Sequence, residues 1–433
     1  MNNNLIEIAD NSQRTFEPQR IEPLRRLSGV PIKKIQLEGN PNLLVFPQSL
    51  NECSDKIQDS SIITIEGESI LCSGNIMGFV GINNTRLRIC SRFAKEDKKD
   101  YFLHYMLQHV FSINLFDLQY NSDNIDIFDF LIYLFPAFLK RAYQQGLYKE
   151  YQTHNYNDTN IKGRIDIAKH IRQNVPFTGR IAYQTREYAY NNDVTQLVRH
   201  TIEYIRQHHF TGGILQNDAD TKVAVKAIEQ ATPTYNRHER VKIINRNLRP
   251  VNHPYFYEYR NLQQLCLQIL RHEELKYGRA DREIYGILFD GAWLWEEYLA
   301  TILTNFKHPR NKNREGVRYL FNEKRGPRYP DFYNQDIILD AKYKSNSQKK
   351  HVAEIDRDDI HQMVSYMWMD KMSVGGFVSP TDIERSVISA SLRGYNGEIR
   401  LYQLLVSSAD DWKTFVHQMK ENEQVLIDEI ESC

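Results

Sequence analysis

The stretch Arg328-Tyr329-Pro330-Asp331-Phe332-Tyr333-Asn334-Gln335-Asp336-Ile337-Ile338-Leu339-Asp340-Ala341-Lys342 decides the fold of the C-terminal third of this chain. An aromatic pair, three turn-forming residues and a largely apolar run follow one another in it, and this order predicts a β-hairpin. Because side chains alternate along a strand, Asp340 and Lys342 are expected on the same face. Closure of the hairpin brings Asp331 back to the same end of the second strand.

Two carboxylates and one amine are therefore expected at one place. Paired carboxylates suit a hard divalent cation such as Mg²⁺, which takes oxygen ligands and keeps several waters. A neighbouring ammonium group can orient or deprotonate an attacking water, or offset charge that develops on a phosphate. The order Pro-Asp, eight residues, Asp-x-Lys resembles the motif of the PD-(D/E)xK nucleases. A structural ion pair on a strand is the alternative that the hairpin alone leaves open.

A helix predicted downstream of the hairpin adds a second pair of polar residues. The pattern of residues 358–366 places Gln362 and Tyr366 four residues apart, on one helix face. One branch of the PD-(D/E)xK nucleases has a Gln-x-x-x-Tyr helix at this point, which helps to position the phosphate backbone or the catalytic groups. The resemblance implies the same role here, and an ordinary amphipathic helix with a polar stripe is the alternative.

Two features upstream of the hairpin are consistent with the same chemistry. A helix predicted over residues 291–300 carries an acidic pair, and the nuclease resemblance implies that Glu296 adds a contact to the metal or the water, with Glu297 as the alternative. Residues 307–328 then hold eight Lys or Arg against two Glu. This charge run indicates a phosphate-facing surface, or else a solvated loop.

The composition limits the classes of function. The 433 residues carry 55 Lys and Arg against 55 Asp and Glu, so no global positive field draws the chain onto nucleic acid. Five scattered cysteines without a Cys-x-x-Cys pair suit a reducing cytosol better than a disulfide framework or a zinc site. The polar start does not resemble a signal peptide and no apolar run is long enough to span a membrane. We therefore expect a cytoplasmic protein without a membrane partner.

Length and pattern predict an α+β multidomain chain. Short apolar segments, beginning with Ile35-Gln36-Leu37, predict a mainly β domain over residues 1–115, with loose residues 1–30, a hairpin turn at Asn83-Asn84 and a closing helix. Residues 116–280 are predicted to be mostly helical. Residues 281–433 follow the order helix, hairpin, strand, helix, strand, strand, helix, which predicts an α/β PD-(D/E)xK restriction-endonuclease-like core.

Several catalytic motifs are absent from the sequence. It contains no Gly-x-x-x-x-Gly-Lys-[Ser/Thr], so this chain is not expected to hydrolyse nucleotides through a P-loop. It also lacks His-Glu-x-x-His, Gly-x-Ser-x-Gly and Gly-x-Gly-x-x-Gly, which leaves protease, esterase-type hydrolase and dehydrogenase functions without support.

Several fragments together resemble the McrC family. The similarity extends from about residue 60 to about residue 380, and the hairpin motif is its most specific part. The fragments are Gly78-Phe79-Val80-Gly81, Arg86-Leu87-Arg88-Ile89, Ser91-Arg92-Phe93, Tyr105-Met106-Leu107, Lys162-Gly163-Arg164-Ile165-Asp166, Asn191-Asn192-Asp193, Pro330-Asp331 and Leu339-Asp340-Ala341-Lys342-Tyr343-Lys344.

This resemblance implies the nuclease subunit of an McrBC-type, 5-methylcytosine-specific (type IV) restriction system, which serves in phage defence. Such a subunit cleaves double-stranded DNA carrying modified cytosine only together with an AAA+ GTPase, McrB. The front half of the chain is expected to dock in the pore of the GTPase ring and to stimulate GTP hydrolysis. A non-catalytic scaffold that activates a ring NTPase and a stand-alone nuclease acting on branched or damaged DNA are the alternatives.

The resemblance also implies a role for each residue of the expected site. Mg²⁺ is the expected cofactor, and one or two ions assist phosphodiester hydrolysis. The expected metal ligands are Asp331, Asp340, the carbonyl group of Ala341 and Glu296. Lys342 is expected to align or activate the water, and Gln362 and Tyr366 to position the backbone.

Overall fold

The structure, a computed structural model, describes residues 4–37, 43–47, 59–82, 85–94, 100–111, 127–207, 212–216, 218–276, 284–309, 316–344, 348–384 and 386–432. The chain divides into two compact units. Residues 1–112 and 280–433 form unit 1, and residues 113–279 form unit 2.

Strands and helices follow one another irregularly along the described residues. The strands are β1 (Asn4–Ala9), β2 (Gln13–Thr15), β3 (Leu43–Phe46), β4 (Ile63–Glu66), β5 (Ile70–Ser73), β6 (Ile76–Ile82), β7 (Thr85–Cys90), β8 (Glu150–Asp158), β9 (Arg164–Ile165), β10 (Ile181–Ala189), β11 (Ile284–Asp290), β12 (Arg318–Phe321), β13 (Arg325–Arg328), β14 (Phe332–Tyr333), β15 (Ile337–Ala341), β16 (Val374–Thr381), β17 (Ile388–Ser391) and β18 (Glu398–Leu405). The α-helices are α1 (Pro18–Ile21), α2 (Ile32–Leu37), α3 (Tyr101–Phe111), α4 (Ile127–Gln144), α5 (Ile167–Asn174), α6 (Asp193–Gln207), α7 (Ala219–Ala231), α8 (Arg240–Arg246), α9 (Glu258–Lys276), α10 (Gly291–Ile302), α11 (Arg357–Asp370) and α12 (Trp412–Glu431).

The N-terminal part of unit 1 is built on a five-stranded sheet in the order β1-β7-β6-β11-β3. In β7, buried and half-buried residues alternate, as expected of a strand with one face on a core. β11 lies beyond unit 2 in the sequence, yet it pairs with β6 and β3 in this sheet. The N-terminal part is therefore completed by a strand from the C-terminal half of the chain. A smaller sheet, β2-β5-β4, lies in the same unit.

The C-terminal part of unit 1 contains the expected hairpin within a second five-stranded sheet, β14-β15-β16-β18-β17. Phe332 pairs with Leu339 across the hairpin, and β15 continues in parallel to β16. Ile338 and Leu339 are completely buried, which explains the apolar run that precedes Asp340. α11 covers the sheet at Gly375, where a side chain would collide with Met363 and Met367.

Buried polar contacts fix α10 within unit 1. Glu423 of α12 accepts hydrogen bonds from Tyr298 of α10, at 2.5 Å, and from Tyr105 of α3, at 2.9 Å. The indole N–H of Trp295 donates to the carbonyl oxygen of Val378 in β16 at 3.2 Å. Because a buried donor without an acceptor is costly, these bonds define how α10 lies against the sheet.

Unit 2 combines an antiparallel sheet in the order β8-β10-β9 with the helices α4 to α9. The side chain of Asn192 accepts a hydrogen bond from the Thr195 amide at 3.1 Å and donates to the carbonyl oxygens of Tyr148 and Ala189. Asn192 therefore caps the start of α6 and ties it to the sheet. The Asn191-Asn192-Asp193 fragment has a clear structural role at this point.

Two expectations for the N-terminal segment are wrong. Residues 4–30 are not loose, because β1 pairs with β7 and buries Ile6 and Ile8. The apolar alternation in β1 is short and its partner lies far along the chain, so the local pattern gives little sign of a strand. The segment Ile35-Gln36-Leu37 is the end of α2 rather than a strand, since Ile32 and Ile35 are buried at helical spacing. The turn expected at Asn83-Asn84 lies outside the described residues.

The described elements confirm a mixed α and β chain with several sheets. The division into domains ending at residues 115 and 280 stays a prediction. Breaks between the two units fall at residues 112–113 and 279–280, and unit 1 contains both ends of the chain. None of the described helices is long and apolar enough to cross a membrane.

We predict that Gly286→Ala strongly destabilises unit 1. Gly286 has a φ of +154°, and a Cβ there would lie 2.1 Å from the carbonyl oxygen of Phe79 in the paired strand β6. The expected loss in the free energy of unfolding is about 2–4 kcal/mol, measured by urea denaturation. Gly67→Ala is the control, because Gly67 also has a positive φ but nothing lies within 4 Å. Its expected loss is about 1 kcal/mol, and equal losses in the two variants would contradict the backbone collision.

Candidate active site

The hairpin β14–β15 holds two aspartates side by side. Asp331 directly precedes β14, and its Oδ2 accepts the backbone N–H of Ala341 at 2.8 Å. Asp340 lies on β15 and is 2% exposed. This hydrogen bond from Ala341, the residue after Asp340, closes the hairpin. It brings the Asp331 carboxyl group beside that of Asp340, as the sequence predicts.

The two carboxyl groups strongly influence each other. Burial, together with the charges of Asp340 and Glu296, raises the pKa of Asp331 well above its ordinary value. Burial also raises the pKa of Asp340, although the nearby Lys342 ammonium group works in the opposite direction. Three acidic groups therefore interact at this point, and their repulsion is only partly offset by one cation.

Lys342 is that cation, and two aspartates hold it. Its Nζ lies 2.6 Å from Oδ2 of Asp340 and 3.2 Å from Oδ1 of Asp359, and it donates to Oε1 of Gln362 at 3.3 Å. Burial disfavours its charged form, but Asp340 and Asp359 outweigh burial and raise the pKa of Lys342. The side chain is therefore protonated at neutral pH.

Helix α11 supplies the groups that fix Lys342 from the other side. Nε2 of Gln362 donates to the hydroxyl oxygen of Tyr366 at 2.6 Å, and that hydroxyl donates to the carbonyl oxygen of Tyr329 at 2.8 Å. Tyr366 is 1% exposed. Burial and the charges of Asp340 and Asp331 raise its pKa, so it stays a neutral donor. The chain of bonds from Lys342 through Gln362 and Tyr366 ends on the backbone before the hairpin.

Helix α10 contributes the acidic pair on the opposite flank. His308 lies between the pair and the hairpin, with Nδ1 2.9 Å from the carbonyl oxygen of Asp331 and 3.7 Å from Oε1 of Glu296. Its Nε2 lies 3.9 Å from Oε1 of Glu297, and its ring stacks on Phe332 at 4.7 Å between centroids. Glu296 acts electrostatically on Asp331, which favours it over Glu297 as the third carboxylate of the site.

The basic segment before the hairpin is only partly described. Lys307 pairs through its backbone with Tyr333, which places it next to β14. Arg318 forms an ion pair with Asp370 at 2.8 Å, and its Cζ lies 4.5 Å from the centroid of the Tyr333 ring. Its positive charge is therefore already paired within the fold. Residues 310–315, which hold three of the eight basic side chains, lie outside the described residues. The phosphate-facing surface stays a prediction.

The donor set fits a magnesium ion. Within the described part of the chain, no three His, Cys, Asp or Glu side chains form a metal cage by themselves. Mg²⁺ does not need one, because it is usually bound by one or two carboxylates and keeps several waters. The buried Oδ2 of Asp340 contacts Lys342 but receives no hydrogen bond of regular geometry. An ion beside Asp331 and Asp340 would relieve the repulsion that raises their pKa values.

Two residues of this cluster were not predicted from the sequence. Asp359 also binds Nζ of Lys344, at 2.8 Å, so it holds both lysines that follow Asp340. An acidic residue in the first turn of a helix usually has a favourable interaction with the helix dipole, so its position there does not by itself indicate a contact with Lys342. Its position three residues before Gln362, on the same face, is the signal that could have revealed it. His308 has no local signal, because its contacts come from α10 and the hairpin.

Comparison with known proteins adds a family and a fold. The family model of the McrBC 5-methylcytosine restriction system component matches residues 71–376. The refined half-complex from the tetradecameric assembly of Thermococcus gammatolerans McrB AAA+ hexamers with bound McrC contains a similar fold. It aligns with 98% of this chain and 100% of its own chain, at 15% identity and a TM-score of 0.51.

A second solved structure and the curated proteins were also compared. The cryo-EM structure of the Thermococcus gammatolerans McrBC complex covers 73% of this chain and 90% of its own, at 14% identity and a TM-score of 0.35. The comparison with curated proteins finds no match.

We predict that Asp331→Asn stabilises the chain in the absence of divalent metal. A carboxyl group whose pKa is raised on folding makes stability fall as pH rises from its unfolded pKa towards its folded pKa, and the loss persists above that window. Asn keeps an oxygen for the Ala341 amide and removes the charge. We expect a gain of about 1–3 kcal/mol at neutral pH, with a smaller difference near pH 4, by urea denaturation in EDTA.

The control for this prediction is Asp336→Asn. Asp336 is exposed in the turn of the same hairpin, so its substitution should change stability by less than about 0.5 kcal/mol. A loss of stability in Asp331→Asn of the same size at every pH would contradict the electrostatic explanation.

Proposed function

This chain belongs to the McrBC 5-methylcytosine restriction system component family, and from this premise we propose that it is the DNA-cleaving subunit of a modification-dependent restriction complex. The reaction proposed is Mg²⁺-dependent hydrolysis of a phosphodiester bond in double-stranded DNA that carries modified cytosine. The observation that carries the proposal is the convergence of Asp331, Asp340 and Lys342 at the buried end of one hairpin.

The proposed catalytic core is of the PD-(D/E)xK type. Support comes from the order of elements. α10 carries Glu296, Asp331 directly precedes β14, Asp340 lies on β15, Lys342 directly follows β15, and α11 carries Gln362. Asp331 and Asp340 would hold the metal, with Glu296 and the carbonyl group of Ala341 as further ligands. When bound, Mg²⁺ supplies polarisation of the phosphate and a lower pKa for a coordinated water.

Lys342 acts in this proposal as a cation. Its raised pKa leaves it without a free lone pair at neutral pH, so it orients the attacking water by donating a hydrogen bond, or stabilises negative charge on the phosphate. Asp359 and Gln362 keep its ammonium group beside Asp340. Tyr366 holds Gln362 in turn, which makes it a positioning residue.

The proposed partner is an McrB-type AAA+ GTPase. The solved structure that shares this fold contains McrB AAA+ hexamers with bound McrC. This sequence has no P-loop, so GTP hydrolysis falls to the partner, and the chain is proposed to stimulate it. The balanced net charge supports the same division of labour, because it gives the chain no strong field for binding DNA unaided.

We predict that Asp340→Ala and Lys342→Ala each lower cleavage by at least about 100-fold while GTPase stimulation is unchanged. The assay uses methylated and unmethylated plasmid, Mg²⁺ or EDTA, and the chain with or without an McrB-type GTPase and GTP. Wild type should cut only methylated plasmid, and only with Mg²⁺ and the partner. Asp336→Ala and Lys371→Ala are the matched controls, since both residues are exposed on nearby turns.

Other outcomes of this assay would favour one of the alternative functions or contradict the proposal. DNA cleavage without the partner or without methylation would indicate a stand-alone nuclease. Stimulation of GTP hydrolysis without DNA cleavage under any condition would indicate a non-catalytic scaffold. Loss of partner binding in Asp340→Ala would contradict the separation of cleavage from assembly.

We predict that Asp359→Asn lowers the cleavage rate by about 10- to 100-fold, because Lys342 loses one of its two carboxylate partners. Asp358→Asn is the matched control, an exposed neighbour in the same helix turn. The measurement is single-turnover cleavage, with GTPase stimulation as the test of folding. Equal rates in the two variants would show that Asp359 does not position Lys342.

A further inference from the structure

One face of the sheet in unit 2, together with the residues that directly flank β8 and β10, carries three tyrosines interleaved with two cations. The Cζ of Arg186 lies 4.9 Å from the centroid of the Tyr151 ring, and that ring lies 4.9 Å from the ring of Tyr188. Nζ of Lys149 lies 5.6 Å from the Tyr188 centroid and 4.3 Å from the centroid of Tyr190. We call these five residues the tyrosine face.

The rings of the tyrosine face are accessible. Tyr151 is 62% exposed, Tyr188 46% and Tyr190 41%. An aromatic ring gains free energy when it is buried in a core, and these three rings do not make that gain. A continuous exposed patch of this kind indicates a binding site for a ligand.

Acidic and basic side chains at β8 and β10 lie on opposite faces of the sheet. Tyr151 and Tyr188 are paired in register, so Glu150 and Glu187, each one position away, fall on the opposite face. Glu187 accepts hydrogen bonds there from Tyr156 and Thr185. Among the described residues, Lys149 and Arg186 contact tyrosine rings and form no ion pair with a carboxylate. The tyrosine face therefore has a local positive charge on a chain that is neutral as a whole.

A cavity of about 700 Å³ continues the tyrosine face within unit 2. Lys149, Tyr188 and Tyr190 form one side of it, and none of the residues that line it is an Asp or Glu. The rings on its remaining sides come from α4 and from the loop before α9, and they are Tyr143, His253, Tyr255 and Phe256.

We propose that the tyrosine face and its cavity bind a single-stranded segment of nucleic acid. Unpaired bases can stack on exposed aromatic rings, and Lys or Arg between the rings can contact the phosphates that join those bases. A duplex fits less well, because its bases are already stacked on each other and present only their edges. An apolar or acidic peptide could also meet the rings, but two cations without carboxylate partners favour a polyanion whose charges recur along its length.

The test measures binding of the full chain in EDTA, so that no cleavage is involved and the proposed nuclease function is not required. The probe is a fluorescein-labelled oligothymidylate of about 12 nucleotides, followed by fluorescence anisotropy. We predict that Tyr188→Ala and Tyr151→Ala each weaken its binding by about 5- to 100-fold. Tyr188→Phe should bind like wild type, because stacking needs the ring and not the hydroxyl group.

Charge is tested separately. Lys149→Gln and Arg186→Gln should each reduce the slope of log affinity against log salt by about 0.7, the value for one phosphate contact on a single strand. A duplex of the same length should bind more weakly than the single strand at equal salt.

Matched controls come from the same unit. Tyr257→Ala removes a tyrosine that is 50% exposed but does not line the cavity, and Lys226→Gln removes an exposed lysine of α7. Neither should alter binding. Thermal unfolding of every variant, together with Tyr188→Phe, separates loss of the rings from loss of the fold.

Three results would overturn the proposal. One is the absence of oligothymidylate binding by the wild-type chain. Another is equal weakening by Tyr257→Ala and Tyr188→Ala. The last is oligonucleotide binding that survives in Tyr188→Ala while affinity for an AAA+ partner falls, which would make the tyrosine face a protein interface.

Discussion

The hydrogen bond from the Ala341 amide to the Asp331 carboxylate holds Asp331 beside Asp340. Asp340 is almost completely buried. Like charges repel strongly in such surroundings, and neither carboxylate is easily ionised there. Lys342 offsets part of this repulsion, and Asp359 and Gln362 keep it in place. The arrangement is unfavourable by itself, and it persists because the surrounding sheet and helices define the positions of all these groups.

The supporting elements come from distant parts of the chain. Trp295 and Tyr298 fix α10 against the sheet and against α12. Tyr343, which follows Lys342 by one residue, is buried beneath the guanidinium group of Arg92 at 4.7 Å. Arg92 in turn is held by Asp10 at 2.5 Å. The N-terminal part of unit 1 therefore takes part in fixing the candidate site. β11, which directly precedes α10, also pairs with β6 in the N-terminal sheet.

Local sorting of charge gives this neutral chain regions with different electrostatic properties. The candidate site concentrates carboxylates around one buried cation, which suits a divalent metal. In unit 2, the two faces of one sheet separate acids from cations because side chains alternate along β8 and β10. Net charge alone would predict neither property, since it averages over surfaces that serve different ligands.

The sequence by itself determined the hairpin, the helices on either side of it and the shared face of Asp340 and Lys342, because turn residues and strand alternation act over a few residues. Gln362 and Tyr366 were likewise found from helical spacing. Only the tertiary structure decided that β1 is a strand, that β11 completes the N-terminal sheet, and that Asp359 and His308 contact the site. These features depend on contacts between residues far apart in the chain, and such contacts leave no periodic pattern in the sequence.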